Sequence, residues 1–155
     1  MSKSVAADIL GEFGRNIGIP ELRFDDRNAC CLIFDADILV NIGLEEEQER
    51  LVLFSYLGDL SRAIGGRQCA AMLEGNFFWR GTGGATLSLE SASGGALLMQ
   101  AVPLSGLRAG LFHDMVESFV NMAEYWMGRL RDLEGGADDR STRSAEQHAP
   151  LGLRV

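Results

Sequence analysis

The chain has 155 residues, 46% of them hydrophobic and 23% charged, with a formal net charge of −8. That length gives one domain with a substantial core, and so acidic a surface repels phosphate backbones, which argues against nucleic acid as a partner. No apolar run approaches the ~20 residues that a membrane-spanning helix needs.

The N-terminal stretch MSKSVAADILGEFG carries charges at Asp8 and Glu12 and lacks the build of a signal peptide, so a cytoplasmic protein is expected. Cys30, Cys31 and Cys69 are odd in number and form no CxxC pair, which fits a reducing compartment. Residues 4–18 read as a helix: Val5, Ile9, Phe13 and Ile17 recur every four residues beside Leu10. Ser4 is its predicted N-cap, and Gly18 with Pro20 ends it. Gly11 and Gly14 weaken it by up to about 1 kcal/mol each.

Three apolar segments follow, separated by turn chemistry. Residues 30–34 are rich in strand formers, Asp35-Ala36-Asp37 reverses the chain, and residues 38–42 return. An acidic loop through Glu45, Glu46, Glu47 and Glu49 leads to residues 51–57. Connections this short imply antiparallel pairing. Residues 61–76 read as a helix opening at Ser61, with Gly65-Gly66 a weak point unless another backbone approaches there. Residues 85–90 alternate with period 2, Ser91–Gly95 turns the chain, and residues 96–102 return until Pro103 ends the strand.

The longest helix is predicted over 105–130, with Phe112, Met115, Val116, Phe119, Ala123, Trp126 and Leu130 on one stripe. The composition then changes sharply. Residues 1–131 are therefore expected to form the domain, and 132–155 a disordered polar tail. The order α-βββ-α-ββ-α defines an α+β domain with a twisted antiparallel sheet.

The first three strands do not alternate as a half-solvated sheet should. Leu51, Leu53 and Leu57 point one way, and Val52, Phe54 and Tyr56 the other; Ile38, Val40 and Ile42 oppose Leu39. Either helices cover both faces, or another chain covers part of one.

Chemistry is sparse. His113 has no second ligand at metal spacing, and no metal is expected. Gly81-Thr82-Gly83-Gly84 lacks the Lys of a P-loop and leads into a strand. Gly11, Gly14 and Gly18 follow no strand, so a dinucleotide fingerprint fails. Glu45-Glu46-Glu47 reads as a solvated loop. A nucleophilic Cys31 or Cys69 would need His113 beside it, and free cysteines usually pack as small hydrophobes. No catalytic residue and no cofactor are expected.

Several strings, in order, resemble the type III secretion chaperones of the Tir-chaperone (CesT) family. The strongest is Leu73-Glu74-Gly75-Asn76-Phe77-Phe78-Trp79-Arg80-Gly81-Thr82-Gly83-Gly84-Ala85-Thr86-Leu87: a leucine and an asparagine at a helix end, an aromatic segment, Thr-Gly-Gly, then a strand. Residues 51–58 resemble the family's third strand. Pro103-Leu104 with Phe112, Glu117, Phe119, Val120, Glu124 and Trp126 resembles its final helix, and Leu22-Arg23-Phe24-Asp25 with Cys30 and Leu32 the approach to its first strand. The resemblance spans residues 5–131. Gly75 departs from it, standing where Ala is common, and so does Gly65-Gly66.

The resemblance implies a non-enzymatic cytosolic homodimer. Such a protein binds the N-terminal segment of one or more secreted effectors, keeps it soluble and delivers it to the export apparatus, with the secretion ATPase as a further partner. The dimer interface implied on the second helix is Ile64, Ala70, Ala71, Met72 and Leu73. The expected client site combines Ile9, Leu10, Phe13 and Ile17 of the first helix with Ile33, Leu39, Phe54 and Tyr56 of the sheet, where an extended segment could add as a strand. The alternatives are a regulatory module of the same fold that binds a folded partner or the ATPase, and a cysteine-dependent enzyme.

Overall fold

Strand formers separated by short polar reversals give a five-stranded, wholly antiparallel sheet. Its strands are β1 (Ala29–Phe34), β2 (Ile38–Glu45), β3 (Arg50–Asp59), β4 (Thr86–Glu90) and β5 (Gly95–Pro103), in the order β1-β2-β3-β5-β4. Helices α1 (Ser2–Asn16), α2 (Gly66–Asn76) and α3 (Ala109–Gly135) complete the domain. These elements come from a computed structural model that describes residues 1–60 and 66–135. The predicted α-βββ-α-ββ-α order is the observed one.

The ends differ from the predicted ones. Helix α1 starts at Ser2 with Met1 at the N-cap, and Ser4 Oγ donates back to the Met1 carbonyl at 2.8 Å instead of capping an N–H. Helix α3 starts at Ala109 rather than Ser105, because Leu104–Leu107 closes as a turn with Gly106 at φ +73°. It runs on to Gly135, through residues 132–135 of the expected tail. The remainder, 136–155, lies outside the described residues, as do Ser61, Ile64 and Gly65.

The β1–β2 reversal carries two left-handed residues, Asp35 at φ 49° and Ala36 at φ 72°, closed by the Asp37 N–H donating to the Phe34 carbonyl at 3.2 Å. Two positive φ values match the right-handed twist of a hairpin, a geometry that glycine or asparagine ordinarily fills.

The core lies on one side of the sheet. Leu10 and Phe13 of α1, Phe112, Val116 and Phe119 of α3, and Val40, Ile42, Leu51 and Leu53 of the strands are buried together. Phe13 meets Phe112 edge to face, with ring centroids 5.2 Å apart. Helix α2 packs against β4 and α3 at the far edge. There Asn76 spans to the strand: its Oδ1 accepts the Leu87 N–H at 2.8 Å and its Nδ2 donates to the Leu87 carbonyl at 3.0 Å. This asparagine does for β4 what a neighbouring strand would do.

Beside it, the Trp126 ring lies against Gly75, and Trp126 Nε1 donates to the Gly81 carbonyl at 2.9 Å. A Cβ on Gly75 would come within 2.4 Å of the indole, and one on Gly81 within 2.8 Å of the Gly75 Cα.

Candidate functional site: the open face of the sheet

Side chains alternate across a strand, so burying one face fixes what the other face shows. In β3, Leu51, Leu53, Ser55 and Leu57 are buried, while Val52, Phe54 and Tyr56 point to the opposite side. In β2, Ile38, Val40, Ile42 and Leu44 face the helices and Leu39 faces away. Among the described residues, the helices cover one face only.

The other face is apolar and open. Ile33 pairs with Leu39, Phe54 with Met99, and Tyr56 with Leu97 across adjacent strands. Ile33 is 65% exposed and Tyr56 49%, and Leu39 and Met99 are also exposed. The Tyr56 ring lies so close over Gly95 that a Cβ there would come within 2.5 Å of it. Leu57 forms a bulge between the Tyr56 and Gly58 pairings with β5, and this sharpens the twist at that end of the face. A surface of aromatic, aliphatic and thioether side chains on a sheet can hold an apolar chain laid across it.

The eight predicted client residues therefore divide. Ile33, Leu39 and Tyr56 stand exposed on one continuous face, and half-buried Phe54 joins them. Ile9, Leu10 and Phe13 do not belong with them. They point into the chain's own core, Phe13 being 1% exposed, because α1 turns its apolar stripe onto α3 and the sheet. Ile17 is half-buried against the same core. Val52, Leu97 and Met99 were missed, although their period-2 alternation with Leu51, Leu98 and Leu53 marks them as outward.

The predicted interface residues divide as well. Ala71 and Met72 are buried, Met72 at 5% exposure, since they face β4 and α3. Ala70 is exposed, and Leu73 is 72% exposed. Leu73 leads into Phe77, Phe78 and Trp79, all exposed. Phe78 and Trp79 hold left-handed backbone at φ 49° and 54° while the loop closes through the Gly81 N–H on the Gly75 carbonyl, 3.1 Å. Such conformations cost about 1–3 kcal/mol each in non-glycine residues. Here they accompany aromatic rings turned to solvent.

Cys31 and Cys69, the thiols that a nucleophilic role would use, are exposed, and Cys30 is half-buried. Burial pushes the Cys30 thiol up to about 12, with the neighbouring Cys31 and the Asp25 carboxylate adding to the shift. A thiol held protonated is the opposite of an activated one. His113 packs near Phe13, with ring centroids 5.8 Å apart. Among the described residues no group of His, Cys, Asp and Glu could hold a metal ion, and no helix is long and apolar enough to cross a membrane.

Residues 8–127 match the model of the Tir chaperone protein (CesT) family. The chain belongs to that family. This CesT-family chain also shares its fold with solved structures. Within the ExsC–ExsE complex it matches a chain with a TM-score of 0.72 at 23% identity, covering 83% of this chain and 95% of that one. Within the HopA1–SchA chaperone–effector complex the TM-score is 0.66 at 23% identity, with 85% and 97% covered. The Yersinia pestis type III secretion chaperone SycH, in complex with a fragment of YscM2, gives 0.62 at 20% identity, with 77% and 98% covered. No curated protein matches the sequence.

Proposed function

We propose that this CesT-family protein is a cytosolic, non-enzymatic type III secretion chaperone that holds the N-terminal segment of a secreted effector on the open sheet face. One observation carries the reading: Ile33, Leu39, Phe54, Tyr56 and Met99 form a continuous apolar surface that no described element of the chain covers. Surfaces of this kind mark interaction sites. An extended segment suits it. Alternate side chains reach the apolar surface, and the segment's backbone can pair with the free edge at β1, next to Ile33. Such pairing tolerates varied client sequences, which suits a carrier that keeps segments soluble and passes them to an export ATPase.

The protein acts as a homodimer through the far end of the domain. Leu73, Phe77, Phe78 and Trp79 supply an exposed aromatic patch there, of the composition that interface centres favour. Leu73→Glu is the suitable probe of that contact and Met72→Glu is not, because Met72 belongs to the core.

Tyr56→Asp and Leu39→Asp test the client site. Both side chains are exposed, so both variants keep the wild-type circular dichroism and lose the effector that co-purifies with the wild-type chain. Unchanged co-purification in both variants contradicts the reading.

A further inference from the structure

Between the end of α1, the β1–β2 turn and the middle of α3 lies a cleft of about 300 Å³. It is separate from the open sheet face. Its walls are apolar, formed by Phe13, Phe34 and Val116. The polar groups that line it are Asp35, His113, Glu117 and Asn121. Each of them can accept a hydrogen bond, two are carboxylates, and no cationic side chain lines the cleft. Neither Asp35 nor Glu117 has an ion-pair partner among the described residues. His113 Nδ1 is shielded from solvent and has no hydrogen-bond partner there either. An unpartnered polar atom of this kind is rare in a folded protein.

We propose that this cleft is a subsite for an arginine side chain of the bound segment. The inference rests on the chaperone reading, since it takes the arginine from the client. The chemistry selects that side chain in three ways. Its aliphatic stem suits half-buried Ile17, which also lines the cleft. Its planar cation suits the half-buried Phe34 ring, which lines the cleft next to Asp35. Its fork of five N–H donors can serve several acceptors at once, where a lysine offers a compact point charge. The complementarity also extends to the molecule, whose net charge is −8. The β1–β2 turn fixes the Asp35 backbone beside the cleft.

The test uses the full chain and three small probes: N-acetyl-arginine methylamide, its uncharged citrulline analogue and its leucine analogue. Binding is read from the NMR resonances of the His113 ring. The arginine probe shifts them saturably, and the citrulline probe binds about fivefold more weakly, the size expected for a partly exposed ion pair. Replacing both carboxylates, Asp35→Asn with Glu117→Gln, abolishes that preference and leaves circular dichroism unchanged.

Equal affinity for the citrulline or leucine probe overturns the proposal, and so does the absence of a saturable shift. Weakened self-association of the double variant also overturns it, because the cleft would then belong to a second copy of the chain. The two readings fail separately. Effector capture without any arginine preference removes the subsite and leaves the chaperone; arginine binding without effector capture removes the chaperone reading and, with it, the client as the source of the arginine.

Discussion

Gly75 shows how one residue can be fixed by a contact that its neighbours in sequence do not reveal. It interrupts a helix, where glycine is weaker than alanine. By propensity alone, Gly75→Ala should stabilise α2. The Trp126 ring reverses the sign, because an added methyl would come within 2.4 Å of the indole. Overpacking of this kind costs about 1–3 kcal/mol. Gly75→Ala is therefore expected to lower the urea midpoint, with red-shifted Trp126 fluorescence if the ring moves out. An unchanged or raised midpoint would show that the indole shifts at no cost. The departure from alanine at this position was legible in the sequence; its reason was not, since Trp126 lies some 50 residues away.

At the scale of elements, periodicity identified α1 but not the direction of its apolar stripe. A stripe at 3.6-residue spacing states that one face avoids water. It does not state whether the cover is the same chain or a client. Ile9, Leu10 and Phe13 were expected in the client site, on a helix weakened by Gly11 and Gly14. The structure gives Gly14 a packing role instead: a Cβ there would meet the Ile19 carbonyl at 2.5 Å and Leu22 at 2.6 Å. The glycine lets the chain fold back under the helix.

Helix α2 repeats the point, since a shift of one position separates buried Met72 from exposed Leu73. The hairpin between β1 and β2 was legible from Asp35-Ala36-Asp37, but its handedness was not. Ala36 sits at φ 72°, where an L-residue pays roughly 1–2 kcal/mol. Ala36→Gly removes that strain and adds unfolded-state entropy of about 0.5–1 kcal/mol. The net result is a gain of up to about 1.5 kcal/mol, a rise of a few degrees in the melting temperature. A fall in melting temperature would show that the turn is unstrained.

At the scale of the whole molecule, the surplus of apolar surface was readable directly from β2 and β3. Strands with two apolar faces and only three helices to cover them left either two-sided cover or an open face. The described residues show the second arrangement, with α1 and α3 on one side. Sequence could not decide between them, because the answer depends on where long helices land after the chain has folded. The exposed Leu73, Phe77, Phe78 and Trp79 lie at the opposite end from the β1 edge. The two apolar regions can therefore serve different partners, a second copy and a client.

The most direct test of the open face is hydroxyl-radical footprinting of the chain alone and with its co-expressed effector segment. Tyr56 and Met99 should be readily oxidised in the free protein and protected several-fold in the complex, while buried Phe13 is unreactive in both. Tyr56 and Met99 that stay equally reactive with the client bound, or that are already protected without it, would contradict the account.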